Sequence, residues 1–118
     1  MEPQQIDLEA ERIVRALSEE LLAPRDGECL VCFVDRQLTE HGCNGTHRFA
    51  LHFRDLRAPR ATALARSLSE KGACCCDCEI FMNAYERVRG ADAEPCRGVR
   101  RGSVQPCVLW RRRRRGIW

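Results

Sequence analysis

Lysine, long apolar runs and catalytic motifs are scarce or missing in this chain of 118 residues. The longest apolar stretches are short, such as residues 29–34, whereas a membrane-spanning helix needs about 18 consecutive apolar residues. The acidic, polar N-terminus lacks the basic start and the apolar run of a signal peptide. We therefore expect a cytoplasmic protein that does not enter a membrane.

The missing motifs bear on catalysis. The sequence contains no HExxH, GxSxG, Walker A or GxGxxG pattern, each of which would indicate a known type of active or nucleotide-binding site. Pro95-Cys96 and Pro106-Cys107 lack the second cysteine of the PCxxC segment found in zinc deaminases. The sequence therefore leaves enzymatic activity uncertain and favours a protein without it.

Cysteine, by contrast, is abundant, with nine residues. In a secreted protein this number would suggest a framework of disulfides. Without a signal peptide, the same number indicates metal binding or redox chemistry. Because the number is odd, a monomer cannot pair all of its cysteines.

Charge is unevenly distributed along the chain. Residues 1–86 carry 10 basic and 15 acidic residues, whereas residues 87–118 carry 10 arginines and two acidic residues. From about Gly90 the chain also loses its apolar periodicity, so we expect residues 89–118 to form a disordered, Arg-rich tail. Lys71 is the one lysine among 20 basic residues, a bias typical of GC-rich genomes that weakens arguments from arginine runs.

Apolar spacing predicts a mainly α-helical domain over residues 1–88. Gly42 and Gly72 are expected to end helices, Thr46 to cap one, and Pro59 to lie in the first turn of another. The predicted helices span residues 5–22, 29–41, 46–56 and 59–71. Residues 79–88 are expected to form a short helix or a strand, and their apolar pattern favours the helix. The fold class is thus a small zinc-clasped helical domain followed by a flexible basic tail.

Zinc is predicted from the cysteine spacing. The pairs Cys29-x-x-Cys32 and Cys76-x-Cys78 each place two sulfurs close together, and structural zinc takes four nitrogen or sulfur ligands. Cys43 lies between the pairs, and Asp77 and Glu79 are expected to hydrogen-bond to ligands or to be solvated. The candidate ligands are Cys29, Cys32, Cys43, Cys76 and Cys78. The alternatives are buried apolar cysteines, redox thiols and an iron–sulfur cluster.

Several segments resemble a family of small bacterial proteins classed as a domain of unknown function. They are residues 42–46, residues 54–68, Gly72 and the Cys-Asp-Cys-Glu-Ile stretch at 76–80, within a likeness over about 29–86. The family's motifs, Cys-Asp-His-Thr-Leu-Arg and Cys-Asp-Cys-Glu, look like a Cys, His, Cys, Cys zinc set.

That resemblance implies Cys43, Cys76 and Cys78 as ligands. It implies no activity. Gly45 stands at the family's His position, so the missing ligand must come from elsewhere, with His47 as a weaker candidate than the 29/32 pair. The favoured quartet is Cys29, Cys32, Cys76 and Cys78, with Cys43 as a competing or adjacent thiol.

The leading hypothesis for function is a structural zinc in an interaction module with an unknown protein partner. A second hypothesis is non-specific nucleic-acid binding by the tail, in which Arg111, Arg112, Arg113, Arg114 and Arg115 neutralise phosphates and tryptophans stack on bases. A third is a redox-responsive switch that releases zinc when its thiolates are oxidised.

Overall fold

The computed structural model describes residues 23–91 and 93–114. These residues form three α-helices, a π-helical turn and a two-stranded sheet, which confirms the predicted mainly helical fold. The elements are α1 (Leu30–His41), α2 (Arg48–Arg57), α3 (Leu64–Glu70), the π-helical turn (Ile80–Ala84), β1 (Tyr85–Arg87) and β2 (Trp110–Arg112). The helix predicted over 5–22 lies outside the described residues. No helix within the described part is long and apolar enough to cross a membrane.

Helix α1 follows its prediction closely. The Cys29 sulfur accepts a hydrogen bond from the Cys32 backbone N–H at 3.3 Å and so caps the helix at its start. Gly42 ends the helix with a φ of 74°, and its N–H donates to the Leu38 carbonyl at 2.9 Å. A left-handed φ suits glycine because it has no Cβ to clash with the backbone.

Helix α2 is capped differently from the prediction. Thr46 was expected to cap it, but the Thr46 hydroxyl donates instead to Asn44 Oδ1 at 2.6 Å. The carboxylate of Asp77 takes the capping role: it accepts the N–H groups of Phe49 at 2.9 Å and Ala50 at 3.2 Å. A negative charge is favourable at a helix N-terminus, so this contact anchors α2 to the segment around residue 77.

Helix α3 and the following segment are shorter than predicted. Turn-type hydrogen bonds connect Ala61 to Ala58 and Leu64 to Ala61, so the helix begins at Leu64 and not near Pro59. Gly72 follows the end of α3, as expected. A Cβ at this position would lie 3.0 Å from the Asn83 Cβ. The helix predicted over 79–88 is a π-helical turn that gives way to β1.

The core lies between α1, α2 and the C-terminal half of the chain. Phe33 on α1 packs against Phe53 on α2 with ring centroids 5.6 Å apart. Ile80 and Phe49 are also fully buried, and Trp110 meets the ring of Phe81 edge-on at 5.3 Å. These contacts bury the apolar faces of two helices, which favours folding through the hydrophobic effect.

The C-terminal segment corrects the predicted boundary at residue 88. Strand β2 pairs antiparallel with β1, with Glu86 opposite Arg111. Cys107, Leu109 and Trp110 are at most 8% exposed and belong to the core, so residues 93–114 do not form a separate tail. The sequence did not predict that these residues join the core, because the few apolar side chains of this segment follow no helical or strand period. Residues 115–118 of the predicted tail lie outside the described part.

Candidate metal centre

Four cysteine sulfurs meet in the interior of the protein. They are those of Cys29, Cys32, Cys96 and Cys107, and all lie within 4.8 Å of one another. Three of the residues are buried, and Cys96 is half-buried. We call this group the buried cluster. Its members come from two places: the start of α1 and the long connection between β1 and β2.

The start of α1 fixes one half of the buried cluster. Cys29 is the residue before the helix and Cys32 lies in its first turn, so both sulfurs are near the helix N-terminus. The Cys29 N–H donates to the Cys96 sulfur at 3.2 Å, and the Gly98 N–H donates to the same sulfur at 3.3 Å. The Val99 N–H donates to the Gly27 carbonyl at 2.9 Å. Backbone hydrogen bonds therefore hold the loop around residue 96 against the helix start.

Trp110 helps to fix the other half. Its indole Nε1–H donates to the Cys32 sulfur at 3.2 Å, and its backbone N–H donates to the Cys107 carbonyl at 3.2 Å. The sulfurs of Cys32 and Cys107 are 3.8 Å apart. The indole N–H presents positive charge to the Cys32 sulfur, and a donor of this kind stabilises the thiolate over the thiol.

The pKa values of the thiols indicate that a second thiolate is unfavourable in the buried cluster without a bound cation. A hydrogen bond from the Cys32 side chain lowers the pKa of Cys29 to about 5, against an opposing effect of burial. The same pair interaction, with burial, raises the pKa of Cys32. Burial is the main cause that raises the pKa of Cys96. Like charges so close repel each other, and a bound cation would remove that obstacle.

The donor set fits a tetrahedral metal ion. Zinc–sulfur bonds of about 2.3 Å place neighbouring sulfurs of a tetrahedron about 3.8 Å apart, which matches the 3.8 Å between Cys32 and Cys107. A disulfide would require sulfurs about 2.05 Å apart. Four thiolates favour zinc or an iron–sulfur centre over hard cations. The buried cluster could therefore hold one ion with four protein ligands.

This arrangement differs from the favoured quartet. The sulfurs of Cys29 and Cys32 lie close to those of Cys96 and Cys107. Among the described residues, neither Cys76 nor Cys78 belongs to this group of sulfurs within 4.8 Å of one another. The two partners were missed because Pro95-Cys96 and Pro106-Cys107 have no cysteine neighbours at metal-site spacing. The only sign of these ligands in the sequence was that two further cysteines follow the CxxC pair along the chain.

The remaining predicted ligands form a second group, the exposed cluster of Cys43, Cys76 and Cys78. The side chains of Cys78 and Cys76 are among the minor causes that lower the pKa of Cys43. Cys43 is exposed, and the other two are half-buried. The pKa of Cys43 is lowered, mainly because the Gly45 N–H donates a hydrogen bond to its sulfur. The pKa of Cys78 is raised to about 11 by its interaction with the Cys43 side chain and by burial.

His47 and Glu79 adjoin the exposed cluster in sequence. His47 precedes α2 and is 8% exposed, and its Nε2 has no hydrogen-bond partner within the described residues. Cys74 forms a disulfide with Cys75, and the Cys74 sulfur lies 3.9 Å from the carboxylate of Glu79. Asp77, expected to be a ligand partner or solvated, is 1% exposed and caps α2.

Of the arginines predicted to bind nucleic acid, Arg111 and Arg112 lie on β2, and Arg113 and Arg114 follow it. Arg111 Nε donates to the Glu86 carboxylate at 2.8 Å, and Arg113 donates to its other oxygen at 3.2 Å. Arg112 lies over the ring of Tyr85 at 6.0 Å. Arg115 is outside the described residues. Two of the arginine charges are therefore matched by one carboxylate.

Comparison with known proteins identifies a family of uncharacterised proteins. Residues 30–83 match the model of a family described as protein of unknown function (DUF2695), which confirms the predicted resemblance to a domain of unknown function. No curated protein and no solved structure matches the chain significantly. The matched region contains the exposed cluster and Cys32, while Cys29, Cys96 and Cys107 lie outside it.

Proposed function

We propose that the buried cluster binds one structural zinc ion and that this ion stabilises a small protein-interaction module. The observation that supports this most strongly is the convergence of four cysteine sulfurs within 4.8 Å of one another. Four protein ligands fill the coordination sphere of zinc and leave no position for a substrate. A closed site of this kind supports a structural role over a catalytic one.

The positions of the four ligands indicate which part of the fold the zinc would stabilise. Cys29 and Cys32 lie at the start of α1, whereas Cys96 and Cys107 lie in the connection between β1 and β2. One ion would therefore join the two ends of the described chain and enclose a loop of more than 60 residues. Because the complete site exists only in the folded chain, zinc binding energy adds to the free energy of unfolding.

The support for an interaction role is three exposed apolar side chains, one of which directly follows a ligand of the buried cluster in the sequence. Val108 is 78% exposed, although its neighbours Cys107 and Leu109 are buried. A zinc bound to Cys107 would fix the position from which Val108 projects. Met82 and Leu56 are further large apolar side chains on the surface, at 67% and 48% exposed. Such side chains provide contact area for a protein partner.

The experiment is a metal analysis of the purified protein and two matched variants, all kept reduced. We expect Cys107→Ser to contain one zinc fewer per chain than the parent, with a lower melting temperature. The double variant Cys74→Ser/Cys75→Ser should keep the parent's zinc content. Equal zinc content in the parent and Cys107→Ser, measured by plasma mass spectrometry, would contradict the proposal.

The disulfide between Cys74 and Cys75 favours a second candidate function, the redox-responsive zinc switch. These residues immediately precede Cys76 of the exposed cluster, so oxidised and reduced sulfurs lie side by side in the sequence. Hydrogen peroxide would oxidise two thiols to a disulfide and be reduced to two water molecules. Zinc release on peroxide treatment, reversed by a dithiol reductant, supports the switch; retention of zinc under peroxide counts against it.

A further inference from the structure

A cavity of about 420 Å³ lies between the loop before α1, the C-terminal half of α2 and the turn at residues 99–103. Small-molecule sites in proteins usually occupy about 300–1,000 Å³. No cysteine of either cluster lines this cavity. Its size therefore suits a small ligand whose binding does not involve the sulfurs.

Two long-range hydrogen bonds hold the walls of the cavity together. The Val99 N–H donates to the Gly27 carbonyl at 2.9 Å and ties the turn to the loop before α1. The Arg57 side chain donates to the Pro24 carbonyl at 2.9 Å and ties α2 to the same loop. The cavity is thus enclosed by three segments that are far apart in the sequence and fixed to one another.

Three arginines line the cavity, which we call the arginine cavity: Arg57, Arg100 and Arg101. Arg57 ends α2, and the other two lie in the turn that the Ser103 N–H closes by donating to the Arg100 carbonyl at 3.1 Å. Within the described part of the chain, no hydrogen bond or ion pair engages the side chains of Arg100 and Arg101. Their guanidinium donors are therefore available to a ligand.

The acidic residues of the walls do not cancel this positive charge. Glu28 lies in the wall, but its carboxylate accepts hydrogen bonds from Arg36 at 2.7 and 3.1 Å, and Arg36 is not part of the lining. Asp26 is the other carboxylate of the lining. Three guanidinium groups therefore face one unmatched carboxylate, and the cavity favours an anion.

We propose that the arginine cavity binds a small organic phosphate with at least two negative charges, such as a nucleoside diphosphate. Guanidinium groups bind phosphate oxygens through paired N–H···O bonds. Val99 and Phe53 offer apolar contact to the organic part of the ligand, and Asp26 accepts its hydroxyl or amino hydrogens. An enclosed volume suits a small molecule better than a nucleic-acid strand, which needs a groove along its backbone. The inference does not depend on zinc at the buried cluster.

Isothermal titration of the full-length, reduced protein with ADP tests the cavity. We expect one ADP per parent chain. Arg100→Gln/Arg101→Gln should bind ADP at least about 10-fold more weakly, since loss of one hydrogen bond to a charged group usually has that effect. The matched control is Arg60→Gln/Arg66→Gln, which removes the same charge outside the lining and should bind like the parent.

Amide NMR of the parent locates the site without any substitution. Addition of ADP should shift the amide signals of Gly27, Val99 and Ser103, which lie in the walls, and leave that of Gly45 unchanged. Pyrophosphate should shift the same signals, because it carries the charged part of the ligand. Adenosine that bound as tightly as ADP would show that the arginines do not hold a phosphate, and would overturn the proposal.

The other outcomes are equally decisive. Absence of binding by the parent to both ADP and pyrophosphate overturns the site. Equal weakening in the two double variants would mean a general attraction to positive charge and would also overturn it. A single-stranded oligonucleotide that binds more tightly than ADP and shifts the same amides would assign these arginines to nucleic acid instead. Unchanged melting temperatures of both double variants would show that weaker binding by Arg100→Gln/Arg101→Gln is not caused by unfolding.

Discussion

The two cysteine clusters of this protein use the same side chain in contrasting surroundings. The buried cluster joins α1 to a connection that has little other regular structure, and most of its sulfurs are shielded from water. The exposed cluster joins segments that Asp77 already holds, and Cys43 is open to solvent. The comparison teaches that the number of cysteines in a group does not by itself decide what a bound ion would add to the fold. What else holds the ligand-bearing segments decides whether the metal stabilises the fold.

The largest expected difference between the clusters is in stability. Cys107→Ser should lower the free energy of unfolding by several kcal/mol, since structural zinc contributes about 10 kcal/mol or more of binding energy in zinc-finger peptides. Cys43→Ser should change it by no more than about 0.5 kcal/mol, as is usual for an exposed substitution. Urea denaturation of both variants, reduced and zinc-loaded, measures this. Equal losses would mean that the clusters do not differ in structural role.

Removal of Asp77 tests the claim that the exposed cluster is held without metal. Asp77→Asn should destabilise the protein by about 1.5–3 kcal/mol, the usual value for hydrogen bonds to a charged group. The control is Glu79→Gln, whose carboxylate has no role in capping α2, and we expect little change from it. Thermal unfolding of the metal-free proteins compares the two. If Asp77→Asn matched the control, the metal-independent anchor would be absent.

Trp110→Phe sharpens the account of the buried cluster. The substitution keeps an aromatic ring for the contacts with Phe81 and Arg87 but removes the Nε1–H that donates to the Cys32 sulfur. Loss of a hydrogen bond to a ligand typically lowers metal affinity by about 10- to 100-fold. We expect that fall at the buried cluster alone, measured by competition with a strong zinc chelator. An unchanged affinity would show that this hydrogen bond does not support the site.

The smallest effect is expected on β2. Arg111→Ala should change stability by no more than about 1 kcal/mol, because exposed ion pairs contribute little. If the arginines bind nucleic acid, the same variant should weaken a salt-dependent association with single-stranded DNA, measured by fluorescence anisotropy. Absence of binding by the parent at low salt would remove the nucleic-acid hypothesis and leave the metal site unaffected.

Local patterns in the sequence predicted what local forces determine. Helix α1 and its end at Gly42 follow from apolar spacing and a left-handed glycine, and the Cys29–Cys32 pair follows from CxxC. The cap of α2 could not be predicted in this way, because Asp77 lies 28 residues from Phe49. Cys96 and Cys107 escaped notice for a similar reason, since their partners on α1 lie 64 to 78 residues away.

The most direct test of the central claim is X-ray absorption at the zinc edge of the purified, reduced protein. The account predicts four sulfur neighbours at about 2.3 Å and no nitrogen or oxygen in the first shell. A first shell with fewer than four sulfurs, or a protein that contains no zinc, would contradict a structural zinc at Cys29, Cys32, Cys96 and Cys107.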